Sequence, residues 1–161
     1  MIMDENHLPT FGVGPYLVLI IGILTITSSI FSYYHIIPVY KINELNMVFL
    51  IFGIILIISG IAFWIQAVLI SKIDREVENN KLVTTGIYAY VRHPIYAAFF
   101  YIAIGLILIS QNIILFILPV IFWAFLTVAM IKTEEKWLID KFGKDYIDYS
   151  KNVNRFFPKV I

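Results

Sequence analysis

Two short stretches of this 161-residue sequence hold the side chains best able to do chemistry. The first reads KLVTTGIYAYVRHPIY, from Lys81 to Tyr96, and the second TEEKWL, from Thr133 to Leu138. Together they offer a guanidinium at Arg92, an imidazole at His93, carboxylates at Glu134 and Glu135, and phenols at Tyr88, Tyr90 and Tyr96. A guanidinium grips a carboxylate or phosphate through two fixed, parallel hydrogen bonds. An imidazole can take or give a proton near neutral pH. Arg92 and His93 are therefore the candidates for catalysis, with no single residue assigned as the catalytic group. Pro94 suits a first helical position, because the N–H it lacks is not needed there. The helix it starts would present free backbone donors and a positive dipole end beside His93. Adjacent residues point about 100° apart on a helix, so at most one glutamate of the pair is expected to face a shared pocket.

Taken singly, each feature has a plainer explanation. Arg92 alone reads as a basic anchor at a membrane end, and the tyrosines as interfacial aromatics. His93-Pro94 alone is a helix start, and Glu134-Glu135 alone a solvated first turn. The clusters carry information only jointly, and only if the intervening chain brings them together.

The intervening chain can do so. Hydrophobic residues make up 60% of the sequence and charged residues 14%, with a mean hydropathy of +0.86. A soluble domain runs nearer half apolar and a quarter charged. Gly12 to Tyr34 contains no Asp, Glu, Lys or Arg, nor does Met47 to Ile70, nor Pro94 to Ile131. About 20 apolar residues cross a hydrocarbon core of ~30 Å, so the last block is long enough for two crossings with a turn at Gln111-Asn112. The expected fold is all-α, a polytopic membrane protein with four transmembrane helices at about 12–34, 47–70, 94–110 and 112–131. A C-terminal amphipathic helix should follow, since Trp137, Leu138, Phe142, Tyr146 and Tyr149 recur at helical spacing. The 94–131 hairpin returns the chain to its starting side and places Arg92-His93 near Glu134-Glu135.

Basic residues set the orientation. Lys72, Arg75, Lys81 and Arg92 lie between the second and third blocks, and seven more follow the fourth, from Lys132 to Lys159; the opposite side has only Lys41. Both termini and the central loop are thus expected in the cytoplasm. Met1 to Leu8 carries Asp4 and Glu5 without a basic residue, which is not the start of a secretory signal. The apolar blocks lack the ionisable groups on which pumps and coupled transporters depend. The absence of cysteine excludes disulfides and thiolate chemistry. No metal site is expected, and a net charge of +1 gives no reason to expect a nucleic-acid partner.

The stretch LVTTGIYAYVRHPIY, the later TEEKWLIDKFGKDYIDY and the terminal Pro158 resemble the isoprenylcysteine carboxyl methyltransferases and related membrane phospholipid methyltransferases. The shared pattern is an RHPxY element, an apolar hairpin, a Glu-Glu pair and an FGxxYxxY tail, covering about residues 81–158. The resemblance implies one membrane methyltransferase domain over 1–161, with its cofactor-binding part at 81–158 and S-adenosylmethionine as methyl donor. Carried over by position, the cofactor residues are Lys81, Leu82, Val83, Tyr88, His93, Pro94, Ile95, Tyr96 and Glu134. The implied partner is a lipophilic, isoprenylcysteine-like acceptor reached from the bilayer, with methylation of a carboxyl oxygen.

Two positions depart from the pattern. Ala98 stands where family members often have glycine. The eukaryotic enzymes carry an arginine just before the glutamate pair, where this chain reads Ala129-Met-Ile-Lys132. Lys132 or Arg92 would then have to hold the acceptor, and a smaller amphipathic acceptor than a prenylated protein is expected. Other readings are a non-enzymatic four-helix transporter or assembly protein, and a reductase resembling the sterol reductases. The second would require a longer chain.

Overall fold

The computed structural model describes residues 13–70 and 81–159. The readings made on Met1 to Leu8 and on the charges from Lys72 to Glu78 lie outside those residues. The described residues contain helices and no β-strand: α1 Gly14–Tyr33, α2 Asn46–Ile65, α3 Pro94–Ser110, α4 Ile117–Lys132, α5 Glu134–Phe142 and α6 Lys144–Asn152. A wider π turn, Gln66–Ile70, extends α2, and a 3₁₀ turn, Ile113–Phe116, leads into α4.

Three helical stretches, Gly14–Tyr33, Asn43–Ile70 and Ile113–Phe142, are long and apolar enough to cross a membrane. Little of them is buried within the protein; for the most apolar window of Asn43–Ile70 the share is 11%. Ile23, Ile51, Ile58 and Ile121 all point outward. Such surfaces are stable against lipid tails rather than water, which marks an integral membrane protein. The apolar helix α3, with 17 residues, is shorter than the other three.

This shorter helix lies at the centre. Its Tyr96, Ala97, Phe100, Tyr101, Ala103 and Ile107 are buried against Leu17 and Ile21 of α1 and Phe122, Leu126 and Met130 of α4. On the α2 side, glycines let two backbones meet. A Cβ built on Gly60 would lie 2.6 Å from the Ala98 carbonyl oxygen, and one on Gly105 would lie 2.6 Å from that of Gly53. Small residues at such a crossing trade side-chain volume for close van der Waals contact, the usual means of joining helices in lipid.

At the end of α3 far from His93, Gln111 adopts the left-handed conformation, φ 55°, that closes the helix. Asn112 is fully buried there. Its side chain donates to Ser32 Oγ at 3.1 Å and to the Pro38 carbonyl at 3.0 Å, and accepts from the Tyr40 N–H at 3.2 Å. One amide thereby ties the hairpin turn to the end of α1 and the α1–α2 connection.

The tail differs from the single amphipathic helix expected of it. It forms two nine-residue helices separated by Gly143, which has φ 52°. Only glycine enters that conformation freely, so it is the natural break point. The bend folds α6 back, and the chain beyond it runs beneath the start of α3.

Candidate functional site

The site is built where three segments meet: the run into α3, the start of α5, and the strand-like stretch after α6. Gly86, at φ 62°, starts a tight 3₁₀ turn over Gly86–Ala89 that buries Ile87 and Tyr88. These pack with Ala67 and Val91, with Val83 and Ile95 alongside. The chain then runs extended into Pro94, as a residue preceding proline favours.

Residues 91–93 are held by main-chain bonds to the tail. Val91 forms a parallel bridge with Asn154. The Arg92 N–H donates to the Asn154 carbonyl at 2.8 Å, and the His93 N–H to that of Arg155 at 3.1 Å. Side chains reinforce the seam. The Tyr101 hydroxyl donates to the Phe156 carbonyl at 3.0 Å, and the Tyr149 hydroxyl to that of Tyr88 at 2.6 Å. The Arg-His-Pro element is thus clamped from below before its side chains meet any partner.

Thr133 separates α4 from α5, with φ −122° and ψ −88°, and its hydroxyl donates back to the Ala129 carbonyl at 2.7 Å. The chain restarts at Glu134, so both glutamates occupy a helix's first turn, where negative charge is favoured. Both also reach His93. Nε2 of His93 lies 3.3 Å from Glu135 Oε1, and Nδ1 lies 3.7 Å from Glu134 Oε2. The expectation that at most one glutamate would turn inward is corrected here: the imidazole sits between the two, so residues about 100° apart can face it from different sides.

The two carboxylates have different surroundings. Glu135 is buried and receives a fork from Arg155, with Nε and Nη2 each 2.8 Å from its oxygens. Arg92 Nη1 lies 3.2 Å from the same carboxylate. Glu134 accepts a hydrogen bond from the Tyr96 hydroxyl, and 21% of its side chain is exposed. Glu135 is therefore committed to cations of this chain, while Glu134 retains an open edge.

Tyr146 completes the cluster from α6, its hydroxyl accepting from Arg92 Nη1 at 3.3 Å. Burial, and then the nearby Glu135 charge, push its phenol up to about 12. The hydrogen bonds that Arg155 donates to Glu135 likewise hold its guanidinium above its ordinary value. Tyr146 thus stays a neutral phenol, and Arg155 a cation, throughout the physiological range.

Of the residues expected at a site, Arg92, His93, Pro94, Tyr96 and Glu134 converge at the junction of α3 and α5. Val83, Tyr88 and Ile95 lie in the adjoining apolar cluster, with Leu82 half-buried and Lys81 exposed just before it in the chain. Lys132 is exposed at the end of α4, where a cation suits the negative end of the helix dipole, and it is not drawn into the cluster. Arg155 and Tyr146 were missed as members, whereas Glu135 was expected near Arg92-His93 but not facing the pocket together with Glu134. Arg155 shows in the sequence only as one positive charge of the tail; the RFFP run that carries it, ending at Pro158, was its one available signal.

The fold and this junction define a class, the helical membrane protein with a charged cluster at one end of an apolar hairpin. Residues 45–145 match the PEMT family, phospholipid methyltransferase. That is well over half of the chain, and the chain belongs to this family. It is similar to the protein-S-isoprenylcysteine O-methyltransferase of Schizosaccharomyces pombe, at 39% identity over 84 residues, 52% of this chain and 35% of that protein. The enzyme of the same name from Saccharomyces cerevisiae is 38% identical over 85 residues, 51% of this chain and 34% of its own. Protein-S-isoprenylcysteine O-methyltransferase B of Arabidopsis thaliana is 36% identical over 90 residues, 55% and 45% of the two chains. In each case the match spans less than half of the relative's length.

Proposed function

We propose that this chain is an integral membrane methyltransferase that uses S-adenosylmethionine and methylates the carboxyl oxygen of an isoprenylcysteine-like acceptor carrying a lipid tail. The observation that carries the reading is the convergence of Arg92, His93, Glu134 and Glu135 from segments some forty residues apart. Family membership and the names of the relatives support it. The lack of ionisable residues within the apolar blocks weighs against a transporter, and the joined motifs weigh against a bare assembly protein.

In this reading α3 is a fourth span. Seventeen residues at 1.5 Å each reach about 25 Å, at the short end of what crosses a bilayer. Four spans place both termini on one side, and the excess of Lys and Arg assigns that side to the cytoplasm.

The residues present fit the cofactor chemically. Glu134 offers a carboxylate with an open edge, suited to ribose hydroxyls or the ammonium group. Val83, Tyr88 and Ile95 offer an apolar wall for adenine, and the first turn of α3 offers unpaired N–H groups. Lys81, Leu82, His93, Pro94 and Tyr96 are assigned to the cofactor with them. When bound, the cofactor supplies a methyl group on a sulfonium sulfur. An acceptor carboxylate forms the new O–C bond as the S–C bond breaks, the electron pair stays on sulfur, and no proton moves. No general base is then required. His93, with each ring nitrogen near a carboxylate, serves to position the cluster. Exclusion of water favours a step in which charge is lost.

Equilibrium binding of S-adenosylhomocysteine to the purified chain in lipid tests the reading. Saturable binding, with radiolabelled methyl ester formed on a farnesylcysteine analogue, is expected. Absence of both would refute it.

A further inference from the structure

A cleft of about 290 Å³ opens between α4 and the segment after α6, with Arg92 in its lining. Arg92, Arg155, Thr127 and Ser150 give it polar lining; Trp123 and Phe157 give it aromatic walls. Three observations mark it as more than a surface groove. The Arg92 side chain is only 8% exposed, yet its Nε has no hydrogen-bond partner. The hydroxyl of Thr127 is likewise buried and unpartnered. Both residues line this same cleft, and buried donors without acceptors are rare enough to require explanation.

The third observation is charge balance. Two guanidiniums, Arg92 and Arg155, share the single carboxylate of Glu135. Glu134 is engaged elsewhere, by Tyr96 and the other nitrogen of His93. The triad therefore carries one positive charge in excess, next to orphaned donors. Both guanidiniums are paired to Glu135, and the donor capacity that one carboxylate leaves unused suits a bound monoanion. The walls specify what is attached to that anion. Trp123 and Phe157 are both 46% exposed, and Trp123 projects from a membrane helix. Aromatic rings in that position cover an apolar tail whose head is polar.

We infer that this cleft seats the carboxylate head of the lipid-tailed methyl acceptor, with Arg155 and Thr127 as specificity-determining residues beside Arg92. The inference rests on the methyltransferase reading and deepens it. Arg155 then supplies, from the tail, the cation that the Ala129–Lys132 stretch lacks. A fork donor suits a planar carboxylate better than the point charge of Lys132 would.

The test uses the full chain in phosphatidylcholine nanodiscs. Equilibrium binding of N-acetyl-S-farnesylcysteine is compared with that of its carboxamide, and S-adenosylhomocysteine binding is measured in parallel. The acid is expected to bind about tenfold or more tighter than the amide, as loss of a charged hydrogen bond implies. Arg155→Gln should bring that ratio close to one. Arg155 also holds Glu135, so Thr127→Val is the second variant: nearly isosteric, it removes a hydroxyl that bonds nothing in the fold. It should lower acid affinity about tenfold, the worth of a hydrogen bond to a charged group, and leave S-adenosylhomocysteine affinity unchanged. A wild-type ratio near one, or a ratio that neither variant moves, overturns the seat while S-adenosylhomocysteine binding keeps the methyltransferase reading. Displacement of the acid in phosphatidylglycerol nanodiscs, with the same dependence on the variants, assigns the cleft to a lipid phosphate and overturns the acceptor assignment. Failure of the wild type to bind S-adenosylhomocysteine overturns the underlying reading, and the acceptor assignment with it.

Discussion

Two neighbouring glutamates of the same type have been given different work by their surroundings. Glu135 is buried and held by Arg155, Arg92 and His93. Removing the charge from one partner of a buried ion pair strands the other, at a cost of roughly 3–5 kcal/mol. Glu135→Gln should therefore lower the unfolding temperature of the protein in detergent markedly, because the guanidinium of Arg155 loses its fork. Glu134→Gln should change that temperature little and instead weaken S-adenosylhomocysteine binding, by about 1.5–3 kcal/mol, the worth of a charged hydrogen bond. Thermal unfolding and titration calorimetry on the two variants separate the roles, and identical behaviour in both assays would show that the division is wrong. Which residue types belong to the cluster was legible in the sequence, because Arg92-His93 and Glu134-Glu135 flank one apolar hairpin whose length returns the chain to its starting side. Arg155 was not legible. Its place depends on the bend at Gly143 and on backbone pairing between Val91 and Asn154, contacts between residues far apart in the chain that leave no local pattern.

The helices themselves divide in the same way between what local chemistry announces and what packing decides. Their limits follow from Pro94, from Gln111-Asn112 and from the places where charge reappears. The central position of α3 does not, because α1 to α4 are apolar on every side, and such helices carry no stripe that says which face turns inward. Backbone proximity decides it, at Gly53, Gly60 and Gly105. The same proximity gives a sharp expectation. A side chain at Gly60 would meet the main chain of Ala98 at 2.6 Å, and main chain cannot swing aside. Gly60→Leu should therefore separate α2 from α3 and destabilise the protein by at least the ~1–3 kcal/mol typical of overpacking. Gly22, on α1, has nothing within 4 Å of its would-be Cβ. Gly22→Leu is the matched control and should leave the unfolding temperature nearly unchanged, since its side chain enters open space at the lipid-facing surface. If both variants unfold alike, lipid packing around any added leucine, rather than the α2–α3 crossing, sets their stability.

On the scale of the whole molecule, the two ends of the bundle are unlike. One end is closed by the neutral knot around Asn112, which binds Ser32, Pro38 and Tyr40. The other gathers Arg92, His93, Glu134, Glu135, Tyr146 and Arg155. Charged side chains leave water most cheaply where a bundle end meets an aqueous face, so the charged end belongs at a membrane–water boundary. A three-span chain in which α3 stayed on one side of the membrane would spoil the basic bias of the loops, setting Lys72, Arg75, Lys81 and Arg92 against the other basic residues and placing Lys81 and Lys151 in opposite compartments. The packing of α3 between α1, α2 and α4 disfavours that arrangement, because a helix buried among spanning helices shares their depth. The chain contains no cysteine, so single cysteines can be introduced without a background. In the four-span arrangement, cysteines replacing Lys81 and Lys151 should react with an impermeant maleimide only after the membrane is opened, and one replacing Asn43 should react in intact cells. Asn43 lies in the α1–α2 connection, and Lys81 and Lys151 are both exposed, so each site is accessible to the reagent on its own side. Opposite labelling of residues 81 and 151 would remove α3 from the membrane, and with it the hairpin that brings His93 back to the glutamate pair.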